Sequence, residues 1–276
     1  MNYAQFGELD TRVGRRWNMD PKPNASASPY QVFDANPIWI SDPLLDSPTV
    51  KEAAFIADNV YGADSKGKKA DLIDNWKQVD LKIPGVTYHN NNGYDAGLYM
   101  RANDDGKTEY VFATRGTESW NDWKNNIEQP LGISGQYKTN AENAVALQKY
   151  FGSNTDLTFV GHSLGGGLAA ANAMMTNHPA ITFNAAGVGP ITKAEISNSF
   201  GNFAKNLFSP VCRKIDAYVV SGEILNTVQS NMGLKADGSI HKMSVSWLSG
   251  YKYDPTGISR HLMGAVKNAV DNEGIK

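Results

Sequence analysis

The sequence is poor in the residues that build disulfide frameworks and metal centres. It has one cysteine, Cys212, and five histidines among 276 residues, so an intramolecular disulfide and a cysteine-based zinc site are excluded. Lysine and arginine together number 26 against 28 for aspartate and glutamate, which provides no overall basic surface for nucleic acid. We therefore expect no metal, no cofactor and no nucleic-acid partner.

The sequence also lacks long apolar stretches. No run approaches the roughly 18 apolar residues that a membrane-spanning helix requires. The N-terminal residues, Met1-Asn2-Tyr3-Ala4-Gln5, lack the basic and then apolar pattern of a signal peptide. We therefore expect synthesis in the cytoplasm without a signal peptide.

What the sequence does contain changes in character near residue 46. Before it, periodicity is weak, aromatic residues stand between turn-forming residues, and the prolines are dense (Pro21, Pro23, Pro29, Pro37 and Pro43). After it, strands and helices alternate behind one hairpin, which is typical of a mostly parallel α/β sheet. We predict a short irregular or extended segment at residues 1–46 and an α/β domain, with helices on both faces of its sheet, at residues 47–276.

The spacing of apolar, capping and turn residues places the main elements of the α/β domain. Thr139 and Glu142 fit a capping box that opens one of its helices. The predicted helices span about 47–62, 139–151, 164–176 and 262–270. The predicted strands span about 97–102, 108–114, 157–160, 180–184 and 215–220.

A G-x-S-x-G motif, Gly161-His162-Ser163-Leu164-Gly165, joins an apolar strand to an alanine-rich helix. This strand–turn–helix context is that of a nucleophile elbow. Small residues two positions before and after the serine let the backbone fold tightly, and the helix N-terminus directs backbone N–H groups toward the nucleophile. We predict that Ser163 is a catalytic nucleophile.

A serine hydrolase also needs a general base. In α/β-hydrolases the chain order is serine, then carboxylate, then histidine, which removes His89 and His162. His178 precedes Pro179 one helix after the serine, where we expect a surface position. His241 and His261 remain, and we favour His261 because it follows a turn-rich stretch and precedes an amphipathic helix, whereas His241 fits a surface turn or lid segment.

The acid that orients the base is predicted from the position of the strands. Catalytic groups lie at the carboxyl ends of parallel strands, and Glu223 follows the predicted strand 215–220. Asp216, within that strand, and Asp254, nearer to His261, remain alternatives.

Two groups are candidates for binding an oxyanion. The first is the backbone N–H of Leu164, the residue after the nucleophile. The second is Thr117, which follows the strand 108–114 and the dipeptide Arg115-Gly116 and offers both an amide and a hydroxyl.

These motifs resemble those of the class 3 lipases, an α/β-hydrolase family of fungal triacylglycerol lipases and many phospholipases A1. The matching pieces, in family order, are Phe112-Ala113-Thr114-Arg115-Gly116-Thr117 with Asp122-Trp123, the elbow, Thr182-Phe183-Asn184-Ala185-Ala186-Gly187-Val188-Gly189, and Glu223-Ile224-Leu225-Asn226-Thr227-Val228. Ala186 and Asn226 stand where the family usually has proline, and Glu223 where it has aspartate. The resemblance implies an α/β-hydrolase fold and a carboxylic ester hydrolase, a lipase or phospholipase A with a Ser163-His261-Glu223 triad.

In such lipases a mobile lid follows the oxyanion loop, and the resemblance places it here at residues 118–127. Trp120, Trp123 and Ile127 would share one helical face. Because tryptophan favours membrane interfaces, these residues are candidates for contact with lipid. The same spacing also fits packing against the core.

The first 46 residues are similar to the end of the Rhs repeat-associated core, the shell of polymorphic toxins. The match consists of Thr11-Arg12-Val13-Gly14-Arg15-Arg16-Trp17, Asp20-Pro21, Tyr30, Asn36-Pro37 and Asp42-Pro43. Lys22-Pro23 and Leu44-Leu45 stand where glycine of the paired self-cleavage motif is expected, which argues against self-cleavage. In that family a C-terminal toxin follows the shell. The resemblance therefore implies partners in the Rhs shell and secretion machinery, delivery into target cells by a specialised secretion system, and a cognate immunity protein.

Together these patterns predict a serine-dependent lipase or phospholipase that hydrolyses acyl ester bonds of membrane lipids as an antibacterial Rhs-type effector toxin. Two alternatives stay open. One is a soluble short-chain carboxylesterase or thioesterase, which shares every triad feature. The other is a non-catalytic binding module with a relic elbow.

Overall fold

The computed structural model describes residues 2–4, 7–10, 15–16, 48–62, 68–102, 106–116, 134–201, 215–231 and 234–275. The chain divides into two compact units, Met1–Thr49 and Val50–Lys276. In the first unit, strands β1 (Asn2–Ala4), β2 (Gly7–Asp10) and β3 (Arg15–Arg16) form an antiparallel sheet in that order. That residues 1–46 are a remnant of an Rhs core stays a prediction.

The second unit is built on a mixed sheet of seven strands, β4 (Lys77–Val79), β5 (Ala96–Ala102), β6 (Thr108–Thr114), β7 (Leu157–His162), β8 (Ala180–Phe183), β9 (Ile215–Val220) and β10 (Ser239–Met243). Their order in the sheet is β10-β9-β8-β7-β6-β5-β4. Strands β6 to β10 are parallel, whereas β4, β5 and β6 pair antiparallel. The predicted α/β fold, mostly parallel with one hairpin, is confirmed.

Helices cover both faces of this sheet. They are α1 (Val50–Asn59), α2 (Ser134–Phe151), α3 (Leu164–Thr176), α4 (Pro190–Phe200), α5 (Ile224–Asn231), α6 (Ile258–His261) and α7 (Met263–Glu273), with a 3₁₀ turn at Gly250–Tyr253. Phe112 and Phe159 belong to a core that includes α2 and α3, whereas the adjacent Val111 and Val160 belong to a core that includes α1 and α7. This alternation follows from the two-residue period of a strand, and it explains why the central strands are apolar on both faces.

Some elements differ from the sequence prediction. Helix α2 begins at Ser134 rather than near Thr139. Thr139 lies inside the helix, where its hydroxyl donates to the Gly135 carbonyl at 3.2 Å instead of capping the N-terminus. The predicted C-terminal helix at about 262–270 corresponds to α7, and the short helix α6, which was not predicted, precedes it with the extended residue Leu262 between the two. The placement of His241 in a turn or lid was wrong, since it lies in strand β10.

Within the described part of the chain, no helix has both the length and the apolar character that crossing a bilayer requires.

Replacing the central aromatic residue of β7 is expected to destabilise the fold strongly. Phe159 is fully buried and meets Phe112 edge-on, with 6.3 Å between ring centroids, so Phe159→Ala should lower the free energy of unfolding by roughly 3–5 kcal/mol. Urea denaturation followed by circular dichroism measures the change. Tyr150→Ala, which removes a ring that is 51% exposed, is the control and should cost less than about 1 kcal/mol. Equal losses in the two variants would contradict this account of the core.

Candidate active site

Ser163 lies on a sharp turn between β7 and α3. Its backbone has φ +58° and ψ −127°, an uncommon conformation for a residue with a side chain. A Cβ at Gly161 would collide with the Gly165 carbonyl, and one at Gly165 would collide with the Thr114 carbonyl. The two motif glycines are therefore required by the close approach of backbone to backbone, and this approach presents the serine at the carboxyl end of β7.

The structure brings Ser163, His261 and Glu223 into one hydrogen-bonded chain. His261 Nε2 lies 2.9 Å from Ser163 Oγ, and His261 Nδ1 lies 2.6 Å from Glu223 Oε2. All three side chains are buried. Ser163 and Glu223 follow the carboxyl ends of the parallel strands β7 and β9, and His261 is the last residue of the short helix α6.

The carboxylate of Glu223 is fixed by the start of α5. The backbone N–H groups of Leu225 and Asn226 both donate to it, the first at 2.9 Å. These donors leave the carboxylate aimed at His261 Nδ1. Because a carboxylate only accepts, Nδ1 carries the hydrogen, and Nε2 is left with a lone pair that faces the serine hydroxyl.

The two alternative acids face other partners. Asp216 Oδ1 lies 2.7 Å from Nε2 of His241 on neighbouring strands. Asp254 accepts hydrogen bonds from the hydroxyl and N–H groups of Thr256 and Ser259, and these donors, the Thr256 hydroxyl first among them, hold its pKa below the usual range. Neither carboxylate is bonded to the imidazole of His261 in the structure.

His162, inside the motif, is buried beside His261, with 4.9 Å between the ring centroids. Its Nε2 lies 2.6 Å from the backbone carbonyl of His261, which can only accept, so Nε2 carries the hydrogen and donates. Its Nδ1 accepts from the Tyr61 hydroxyl at 2.8 Å. Burial, followed by the neighbouring His261, lowers the pKa of His162 to about 3, and burial raises the pKa of Tyr61. Both groups are therefore neutral near pH 7.

Asn184 also holds the backbone of His261. Its side-chain amide donates to the carbonyls of Arg260 and His261, each at 3.1 Å, and its oxygen accepts from the Val220 N–H at 2.8 Å. It adopts φ +42°, which asparagine tolerates better than most residues. Sequence reasoning missed Asn184 and the role of His162. Their signal was weak, since it consists only of polar residues at the carboxyl ends of two buried strands.

His178 lies outside this site. It is buried, not at the surface as expected, and its Nε2 lies 3.0 Å from the Gly152 carbonyl. The hydrogen bond to this carbonyl, at the turn after α2, therefore satisfies the buried imidazole of His178.

One of the two candidate oxyanion groups is described. Leu164 is the first residue of α3, so its N–H has no partner four residues earlier in the helix. Gly116 approaches the same place, because a Cβ there would lie 3.4 Å from the Cβ of Ser163. Thr117 lies outside the described residues, as do the predicted lid residues Trp120, Trp123 and Ile127.

The segment that leads to Thr117 is anchored at the end of β6. The Arg115 N–H donates to the Asp95 carbonyl at 2.9 Å, and the Arg115 guanidinium forms an ion pair with the Asp95 carboxylate. Both contacts tie the chain after β6 to the start of β5. In the described ranges, no group of three or more histidine, cysteine, aspartate or glutamate side chains could hold a metal ion.

Sequence comparison relates the chain to phospholipases. A family model for a phospholipase-like, Tle-like phospholipase domain matches residues 52–265. The extracellular phospholipase A1 of Serratia liquefaciens is 31% identical over 203 residues, which make up 70% of this chain and 58% of that protein. The match thus spans less than two thirds of the Serratia enzyme.

Two solved structures show a more distant likeness. A triacylglycerol lipase from Penicillium expansum is 16% identical, with a TM-score of 0.41 over 72% of this chain and 79% of the lipase. An esterase from Pyrobaculum calidifontis is 12% identical, with a TM-score of 0.28 over 82% of this chain and 92% of the esterase. The strand order of the sheet and the turn at Ser163 define the fold.

The neutral state of His162 predicts a pH dependence of stability. Between about pH 6.5 and pH 3 the unfolded chain binds a proton at this imidazole that the folded chain does not. The free energy of unfolding should therefore fall as the pH falls, by up to about 1.4 kcal/mol per pH unit from this group. His162→Gln removes the titrating group and should show a shallower slope between pH 4 and 6.5 in urea denaturation. The two curves should run parallel between pH 7 and 8, and parallel curves throughout would contradict the prediction.

Proposed function

Because this chain belongs to the family of Tle-like phospholipase domains, we propose that it hydrolyses acyl ester bonds of membrane phospholipids through Ser163, His261 and Glu223. Membership alone makes the chain a phospholipase- or lipase-like hydrolase. The membrane substrate and the roles of these residues form the proposal. The observation that carries it is the buried chain of hydrogen bonds from Ser163 Oγ through the His261 imidazole to Glu223, at 2.9 and 2.6 Å.

In the proposed reaction, Ser163 Oγ attacks the acyl carbonyl carbon while His261 Nε2 takes the hydroxyl proton. Glu223 accepts a hydrogen bond from the Nδ1–H group, stays ionised, and stabilises the imidazolium that forms. The carbonyl oxygen becomes an oxyanion, and the N–H of Leu164 at the start of α3 donates to it, together with Thr117. The tetrahedral intermediate then breaks its bond to the alcohol, which leaves as a lysophospholipid after it takes the proton from His261.

A second half-reaction restores the enzyme. Water attacks the carbonyl of the acyl-Ser163 ester while His261 accepts a proton from it. The second tetrahedral intermediate expels Ser163 Oγ, which recovers its proton from His261, and the fatty acid is released. No other reactant is needed, because hydrolysis changes no oxidation state.

We further propose that the domain acts as the C-terminal toxin of an Rhs-type effector. The sequence match within residues 11–43 supports this assignment. Such an effector is delivered by a specialised secretion system and is neutralised in the producing cell by a cognate immunity protein. The extracellular location named for the Serratia phospholipase A1 supports export.

Fatty-acid release from vesicles of phosphatidylethanolamine and phosphatidylglycerol, with a chelator present, tests the proposed reaction. Ser163→Ala should lower the rate by roughly 10⁶-fold, and Glu223→Gln by roughly 10⁴-fold, since each removes a member of one catalytic unit. Asp216→Asn is the matched control. It alters a carboxylate paired with a different histidine, His241, and should leave the rate unchanged.

Each other outcome has a defined meaning. Full activity of Glu223→Gln would overturn the assignment of the acid. Release from water-soluble short-chain esters but not from vesicles would favour the esterase or thioesterase. No release from either substrate by the wild-type protein would favour a non-catalytic binding module.

A further inference from the structure

Large apolar side chains are exposed in one stretch of the chain that also leads to the active site. Of the seven large hydrophobic residues that are exposed in the described ranges, four lie between residues 247 and 262. They are Trp247 (65% exposed), Leu248 (75%), Tyr253 (75%) and Leu262 (48%). Exposed apolar groups concentrated in this way mark interaction sites more often than scattered ones do.

Trp247 and Leu248 occupy the centre of a tight turn. The Ser249 N–H donates to the Ser246 carbonyl at 3.0 Å, and the Ser249 hydroxyl donates to the same carbonyl at 2.6 Å. The Ser246 N–H in turn donates to Asn268 Oδ1 of α7 at 2.9 Å. The central positions of turns usually hold polar residues or glycine. This anchored turn instead presents two exposed apolar side chains, and turn formation does not require them.

The same segment is bonded to the residues that carry His261. Arg260 donates from Nε to the Tyr251 carbonyl at 2.9 Å and from Nη2 to the Lys252 carbonyl at 2.6 Å. Leu262 directly follows His261 in the chain. The side chain of the residue before the proposed base therefore holds the backbone at residues 251–252, whereas the turn at Trp247 and Leu248 is held by Asn268 of α7.

The segment at residues 242–262 has a positive net charge, whereas the whole chain has a negative one. The sequence has a net charge of −2, yet residues 242–262 hold three cations, Lys242, Lys252 and Arg260, against the single carboxylate Asp254. That carboxylate already accepts hydrogen bonds from Thr256 and Ser259. Tryptophan and tyrosine next to lysine suit the headgroup region of a bilayer, and the cations suit anionic lipid.

We propose that Trp247, Leu248, Lys252 and Tyr253 form a docking surface for anionic phospholipid bilayers. The apolar side chains enter the headgroup boundary, Lys252 contacts lipid phosphates, and the bonds through Arg260 keep Ser163 and His261 at the membrane surface. The surface is separate in sequence from the predicted lid at residues 118–127. The inference rests on the proposed function for its substrate, whereas binding itself requires no turnover.

Binding is tested first without turnover. The Ser163→Ala protein should co-sediment with phosphatidylglycerol-containing vesicles, and less with vesicles of phosphatidylcholine alone. Adding Trp247→Ser and Leu248→Ser should reduce vesicle affinity by about tenfold or more. Tyr150→Ser is the matched control, because this exposed ring lies next to Phe151, which packs on Tyr110 near the amino end of β7, far from the end that carries Ser163. It should leave vesicle affinity unchanged.

The active protein separates docking from catalysis. The double variant Trp247→Ser/Leu248→Ser should lose about tenfold or more of its vesicle hydrolysis and keep its turnover of a water-soluble short-chain ester, which also shows that it is folded. Undiminished vesicle binding by the double variant would overturn the docking surface, as would failure of the Ser163→Ala protein to bind any vesicle. Equal binding to phosphatidylcholine would overturn the role of Lys252. Trp247-dependent binding by a protein that hydrolyses no ester would support the docking surface and count against the proposed function alone.

Discussion

The site depends on one steric constraint, the close passage of the first turn of α3 over the ends of β6 and β7. Gly161 and Gly165 stand where a Cβ would not fit. Because glycine has no side chain, the backbone can turn sharply enough there to lift Ser163 out of the sheet in a strained conformation. The same turn starts α3 at Leu164, whose N–H has no partner four residues earlier in the helix. The position of Ser163 and the oxyanion binding proposed for the Leu164 N–H therefore depend on the same turn, which follows the buried strand β7.

Two histidines lie side by side next to this turn and make different contacts. His261 uses both ring nitrogens to join Ser163 to Glu223, whereas His162 uses both of its own to join Tyr61 to the His261 backbone. A second positive charge 4.9 Å away would oppose the imidazolium that forms on His261 in the proposed reaction. Burial keeps His162 neutral, so it can support the base through a hydrogen bond without competing for charge.

The sequence predicts best what short spans of chain determine. The strand–turn–helix at Ser163 was recognisable because glycine spacing, the preceding apolar strand and the following helix are all local. Glu223 could be placed near it because it follows a buried strand, and its role as the acid stays a prediction. The predicted start of α2 was wrong, since Thr139 fits a capping pattern in the sequence but bonds to a carbonyl inside the helix. The roles of His162 and Asn184 could not be predicted, since their partners lie 99 and 77 residues away along the chain, and the exposed turn at Trp247 becomes visible only once burial is known.

The interruption of the C-terminal helix at Leu262 has a consequence for this arrangement. In an uninterrupted helix the His261 carbonyl would accept the N–H of Ala265, but here that N–H bonds to the Leu262 carbonyl at 3.0 Å. The His261 carbonyl is thereby left to accept from His162 and Asn184. The break in the helix thus leaves a carbonyl acceptor through which two side chains hold the backbone of His261. Any change that made the helix continuous would occupy this carbonyl with the Ala265 N–H and release the imidazole from its alignment, even with every side chain of the site intact.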